Sequence, residues 1–432
     1  FCVLLFLFLL FYIFRGKILN SYITLSPDAA FFLSICKLIS QGLIPYLDYW
    51  DHKTPFIHYF SYFAYSLFDS SYFGGIFLSV SLMIFSILPI LYLTLKNNFI
   101  IGISLCIIYF SLLYTNTDWV MMGESYCFIF SILSIFFLFQ KKIPNNFLCF
   151  IGLFLLAISF SIKQLIVFDS MILAIHLLKY WNYWKSKFCN FFILSLLALT
   201  LSIFINIIPL LISGSFSSFI PCFIHNFGYA GGRLGFNLNS LDLSHSLPLF
   251  GCCIVCIICL LKSLKCRINF LIGVINLIWL CGSWYMSSGT HQHYMITLWQ
   301  PFIFSIYFLS ILFKSKISIK LDYRFLFPFL IFFPKVPILA SKFREMTKKP
   351  EVYSLIEENT LSSDSYFCFS NHNGGILLHL NRLPSSKYCY LAPIAHSGGD
   401  KHLKEIVKNL EFNPPKILII NELDESIKDI KN

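Results

Sequence analysis

The chain has 432 residues, of which 57% are apolar, 19% aromatic and only 12% charged, with a mean hydropathy of +0.74. Soluble globular domains carry roughly a quarter charged residues, so the composition excludes that class and points to a polytopic membrane protein. The formal charge of +11 does not mark a nucleic-acid partner, because Lys and Arg fall in short clusters between apolar runs, the pattern of membrane orientation.

Apolar runs are expected as spans near 1–14, 72–95, 98–115, 125–140, 147–162, 164–180, 189–213, 246–261, 268–287, 294–313 and 325–340, eleven in all. The first, Phe1–Phe14, is short of the roughly 20 residues a span needs, so a few preceding residues are expected. Basic residues gather at alternate junctions: Lys96; Lys141 and Lys142; Lys179, Lys185 and Lys187; Lys262, Lys265 and Arg267; Lys314, Lys316, Lys320 and Arg324. The positive-inside rule makes these cytoplasmic, places the N-terminus inside and, with an odd number of spans, the C-terminus outside.

That orientation gathers the remaining polar groups on the outer face. The loop 15–71 comes first. Within it Pro27–Gln41 reads as an amphipathic helix lying in the interface, with Pro27 suited to a first turn and Gly42 ending the run. Thr54–Phe68 reads as a second interfacial helix. Between them stands YLDYWDHKTPF, Tyr46–Phe56, two aspartates, a histidine and a lysine among aromatics. A hydrated loop with a local Asp–Lys pair is one account of it. The other is a site for an anion, in which Lys53 is a mobile point charge for phosphate and His52 a donor beside Asp51. Asp28 is equally open between a first-turn carboxylate favoured by the helix dipole and a general base or metal ligand.

Further along, TNTDWVMMGE supplies Asp118 and Glu124, and Glu124 opens a span, where an ionisable group marks either function or the water boundary. Lys163, in SFSIKQLIVF, stands on the outer side against the orientation trend, which suggests an anion partner or simple snorkelling, and Arg233, in FGYAGGRLGF, is almost the only other cation in the short outer loops. His291 and His293, in GTHQHY, have a spacing compatible with metal or with an ordinary interfacial belt. Most of the fifteen cysteines lie in apolar runs; FGCCIVCIICLL has no His or carboxylate and reads as small buried hydrophobes. Cys368 and Cys389 fall in the polar tail, where a disulfide is open if the tail lies outside the cytoplasm.

After Ala340 the apolar runs shrink. DSYFCFS and KYCYLAP read as short strands, KHLKEIVKNLEF as a helix and PKILIIN as a buried strand, so residues 341–432 are expected to form a small extracytoplasmic α/β domain after a membrane domain of residues 1–340. No nucleophile constellation stands out in it, which leaves a structural or acceptor-guiding role.

SPDAAFF, QGLIPYLDYWDHKTPFIHYF, MMGESYCFIF, SFSIKQ and HQHYMITLWQPF, in that order, resemble the bacterial glycosyltransferase family 39 group. This group includes the protein O-mannosyltransferase-like enzymes, is related to the lipid A aminoarabinose transferases, and has the GT-C membrane fold. The resemblance covers roughly residues 20–310 and is most specific in the first-loop aspartate and the G-x-x-P-Y-x-D…D-H-K-x-P pattern. It implies a mainly α membrane enzyme that moves a sugar from a polyprenyl-phosphate donor to a lipid, glycan or protein acceptor on the outer face. In that scheme Asp28 is the catalytic carboxylate and Glu124 a second one. Lys53, with Asp51, His52, Lys163 and Arg233, holds the donor phosphate, and Asp118, His291 and His293 are acceptor or metal contacts. Membrane lipids are partners, nucleic acid is not, and no cofactor is implied beyond an optional divalent metal. Two departures stand out: Ala29 follows Asp28 where many relatives have an acid, which counts against a metal there, and Thr54 replaces the first of two prolines often found after the lysine. The rival class is a transporter or flippase of lipid-linked saccharides, which would place ionisable groups at midplane and show repeat symmetry.

Overall fold

The computed structural model describes residues 27–67, 72–115, 122–231, 266–287, 296–313, 351–369, 382–389 and 400–420, with residue 380 and a few positions between 253 and 264. The expected spans at 1–14 and 325–340 lie outside the described residues. The structure is mainly helical: α1 (Pro27–Ser40), α2 (Pro55–Ser66), α3 (Tyr72–Asn97), α4 (Phe99–Thr115), α5 (Gly123–Phe139), α6 (Asn146–Ile162), a 3-10 helix (Gln164–Ser170), α7 (Met171–Lys179), α8 (Trp181–Trp184), α9 (Phe188–Ile212), α10 (Phe216–Gly231), α11 (Arg267–Ser287), α12 (Ile296–Leu312), α13 (Glu351–Glu358), β1 (Tyr366–Phe369), α14 (Asp400–Phe412) and β2 (Ile417–Ile420). Among the described residues, Gly74–Asn97, Phe188–Ile212 and Arg267–Met286 are long and apolar enough to cross a membrane. Shorter apolar helices include α5, α6 and α12. On α9, Phe192, Ile193, Leu196, Leu197, Leu199, Ile203 and Phe204 stay exposed. So much uncovered apolar surface on one helix is compatible with lipid contact.

The described residues divide into two compact units. The first comprises residues 79–205 and 233–334. Its centre is the α5–α6 hairpin, with α7, α11 and α12 packed around it. Backbones approach closely where small residues allow it. A Cβ on Gly152 would meet the Leu138 side chain at 2.7 Å, and Ser134 Oγ donates to the Gly152 carbonyl at 2.7 Å. A Cβ on Gly282 would run into the Phe168 ring, so α11 lies hard against the 3-10 helix. Asn145 caps α6 by accepting from Leu148 N–H at 3.1 Å.

The second unit comprises residues 20–78, 206–232 and 335–432. Helix α1 ends as its sequence dictates. Gly42 takes φ 88°, its N–H donates to Ile39 O at 3.0 Å, and Leu43 N–H donates to Leu38 O at 3.1 Å, a Schellman motif. Pro55 opens α2, whose first orphan N–H, that of Phe56, donates to Asn206 Oδ1 at 3.1 Å. The expectation of an amphipathic α1 misses its surroundings, since Ala29 to Cys36 are all buried. Helix α2 and the tail together cover it. Tyr366 and Cys368 of β1 pack with Phe31, Ile35 and Leu38, while Phe367, facing the opposite way, packs with Tyr46, Trp50, Leu210, Cys222, Tyr388 and Ile406. Lys37 Nζ adds a hydrogen bond to the Leu380 carbonyl at 2.9 Å.

In the tail, DSYFCFS contains β1 and KHLKEIVKNLEF falls on α14. Strand β2 pairs in parallel with β1, from Tyr366 opposite Ile417 to Phe369 opposite Ile420. PKILIIN is not buried on both faces: Ile417 and Ile419 pack inward while Leu418 is 53% exposed, as on an edge strand. The described part of KYCYLAP forms no strand; Tyr388 and Cys389 divide between the two clusters instead. Cys368 and Cys389 are free thiols in one cluster, and burial pushes the Cys389 thiol up to about 12.

Candidate functional site

The stretch Tyr46–Phe56 is not a hydrated loop. Tyr46, Tyr49, Trp50, Asp51, His52 and Thr54 are all buried. Tyr46 takes φ 69°, unusual for a residue with a bulky side chain. Its neighbours over-determine that geometry: its N–H donates to Tyr49 O at 2.8 Å and its hydroxyl to Lys53 O at 2.7 Å. Trp50 N–H donates to Lys387 O at 2.7 Å, tying the stretch to the tail.

Asp51 is the hub. Its Oδ1 accepts from His52 N–H at 2.7 Å and from Lys53 N–H at 3.4 Å. His52 Nδ1 lies 3.2 Å from Oδ1 and His58 Nε2 3.2 Å from Oδ2. Burial opposes ionisation, but the Lys53 charge and the contacts with His52 and His58 outweigh it and hold the Asp51 carboxyl well below the usual range. Oδ1 thus organises the loop's own backbone, while Oδ2 faces His58 without a hydrogen bond of normal geometry.

Lys53 is the product of that organisation. Its ammonium lies 5.1 Å from the Phe32 ring centroid and 5.8 Å from that of Phe31, within cation–π range. Among the described residues it forms no ion pair. Phe31 and Phe32 stand three and four residues after Asp28 in α1, so the loop delivers a cation to the helix whose first turn carries Asp28. The Asp28 side chain is outside the described set.

In the first unit, Glu124 and Lys163 form an ion pair with side chains 4% and 19% exposed. Glu124 opens α5, where the helix dipole favours a carboxylate. Lys163 is extended, with φ −149° and ψ 122°, and joins the end of α6 to the 3-10 helix. The anion it meets is the chain's own. Asp118, Arg233, His291 and His293 lie outside the described residues. Among the described residues no group of three or more His, Cys, Asp or Glu is arranged to hold a metal ion.

Two polar residues were not singled out by the sequence reading. His58 gives no signal, since only the turn between Asp51 and α2 brings it back to the carboxylate. Asp169 does give one, an acid inside the apolar run 164–180. It is buried, accepting from Ser131 Oγ at 2.5 Å and from Trp279 Nε1 at 2.9 Å.

No family model, curated protein or solved structure matches the chain. The functional reading therefore rests on the residues themselves.

Proposed function

We propose that the chain is a membrane glycosyltransferase of GT-C type, transferring a sugar from a polyprenyl-phosphate donor to an acceptor on the outer face of a bacterial plasma membrane. The reading includes the eleven spans, an inside N-terminus and an outside tail. The observation that carries it is the seating of Lys53, without an ion pair among the described residues, against the helix that begins at Asp28. The polyprenyl tail lies in the bilayer while its phosphate meets cations at the interface. An acceptor hydroxyl or amine attacks the anomeric carbon, the bond to the phosphate oxygen breaks, and that oxygen leaves with the electron pair. Asp28 takes the acceptor proton and Lys53 neutralises the leaving phosphate. Asp51 and His52 hold Lys53 in place. Lys163 and Arg233 are further phosphate cations, and Glu124 fixes Lys163. Asp118, His291 and His293 remain acceptor contacts.

Ionisable groups among apolar helices, the buried Glu124 and Asp169 and the half-buried Lys163, favour the second reading, a transporter or flippase of lipid-linked saccharides. Mass spectrometry of cells with and without the protein separates the two. Loss of a transferase leaves the acceptor unmodified and the sugar–lipid accumulating on the outer leaflet; accumulation confined to the inner leaflet would mean translocation and overturn the first reading. Within the enzyme, Lys53→Ala is expected to raise KM for the lipid donor about tenfold, in line with the loss of one charge-assisted contact. An unchanged KM would remove Lys53 from the donor site.

A further inference from the structure

We infer that Asp169 is a positioning residue that sets the reach of Lys163. This inference rests on the glycosyltransferase reading only for its kinetic readout; the geometry stands by itself. The 3-10 helix that begins immediately after Lys163 is pinned at Asp169 from two sides. Ser131 on α5 donates to Oδ2 at 2.5 Å, and Trp279 on α11 donates to Oδ1 at 2.9 Å. Gly282, one turn past Trp279, lets α11 close onto Phe168, the residue before Asp169.

From Asp169 the network runs back to the ion pair. Ser131 Oγ lies 3.0 Å from Ser159 Oγ. Ser159 Oγ donates to the Cys127 carbonyl at 2.8 Å, and the Ser159 carbonyl accepts from Cys127 Sγ at 3.3 Å and from Lys163 N–H at 3.4 Å. Cys127 stands three residues after Glu124 on α5, and Ser159 four residues before Lys163. Each end of the Glu124–Lys163 pair is thus one helical turn from a residue tied through Ser131 to Asp169. Lys163 is the hinge between two helical segments, so where the 3-10 helix is anchored decides where its side chain points.

A hydrogen count indicates what Asp169 contributes. Two hydroxyl hydrogens, on Ser131 and Ser159, must serve three oxygen–oxygen contacts: Ser131 to Asp169, Ser131 to Ser159, and Ser159 to the Cys127 carbonyl. With Ser131 donating to Asp169 and Ser159 to the Cys127 carbonyl, the contact between the two serines is left without a hydrogen. An asparagine amide can hold Ser131 and still accept from Trp279; an alanine can do neither. Holding these two partners in place is therefore the contribution of this side chain, and asparagine preserves it.

The test compares Asp169→Asn, Asp169→Ala and Trp279→Phe in the full-length protein in membranes. One readout is donor KM against kcat; the other is the modification of Lys163 by an amine-acylating reagent, followed by peptide mass spectrometry. Asp169→Ala is expected to raise Lys163 modification and donor KM severalfold with kcat nearly unchanged, Trp279→Phe to do so partially, and Asp169→Asn to match the native protein within twofold. Native Lys163 modification and KM in both Asp169→Ala and Trp279→Phe would overturn the inference, as would an Asn variant as impaired as the Ala one. If Asp169→Ala does not accumulate, Trp279→Phe decides. If the native protein shows no sugar transfer, the functional reading fails while Lys163 modification still decides the role of Asp169.

Discussion

Asp28→Asn is expected to lower sugar transfer by about two to four orders of magnitude, the usual contribution of a positioned general base, while the protein still accumulates in membranes and still retains its lipid donor. Asparagine preserves the size of the side chain and tolerates the first turn of α1, which Pro27 opens. It cannot take a proton from an acceptor hydroxyl. A first-turn carboxylate with no chemical task would predict something quite different: loss of a favourable helix-dipole interaction of about 0.3–1 kcal/mol, visible as a small drop in thermal stability with transfer intact. Turnover at saturating donor, measured beside the melting temperature, separates the two accounts. A variant with turnover within a fewfold of native and a slightly lower melting temperature would return Asp28 to the helix and leave the reaction without its base.

Where the chain punctuates itself, sequence sufficed. Pro27, Gly42 and Pro55 set the ends of α1 and the start of α2 because ring geometry and a positive φ are local properties. The same holds for β1, α14 and β2, whose periodicity changes from alternating to helical and back within the tail. Burial of charge was harder to read. Tyr46–Phe56 carries the composition of a wet loop, but the partners that bury it, Tyr388 and Phe367 among them, come from more than 300 residues away. Asp51 looks like a ligand-binding carboxylate until His58 and the backbone of His52 and Lys53 are seen around it. The site reading therefore keeps Lys53 facing α1 and moves Asp51 behind it. Lys163 was conspicuous as a cation against the orientation trend, and Glu124 as an acid at a helix start; only the turn after α6 shows that they meet. Asp169 was legible in principle. An acid within an apolar run is costly unless satisfied, and that alone marks it.

Removing one partner of the Glu124–Lys163 pair is expected to be asymmetric. Lys163→Ala takes the Lys163 cation from a carboxylate whose side chain is only 4% exposed, and breaking such a pair costs about 3–5 kcal/mol. Glu124→Ala leaves a lysine that is 19% exposed, whose long stem can carry the ammonium toward water, so a loss nearer 1–2 kcal/mol follows from the net value of a charged hydrogen bond. The double variant Glu124→Leu/Lys163→Met removes both charges and should recover most of the stability lost in Lys163→Ala, since well-packed apolar replacements of buried pairs are often neutral or better. Thermal unfolding in detergent measures all three. If the single losses simply add in the double variant, the two side chains are not coupled and the ion pair is not what holds α5 to the α6 turn. The same proteins also separate fold from function. A double variant that is as stable as the native protein yet has lost donor affinity places Lys163 at the phosphate. One that is stable and fully active confines the pair to structure, and Lys53 must then hold the phosphate without it.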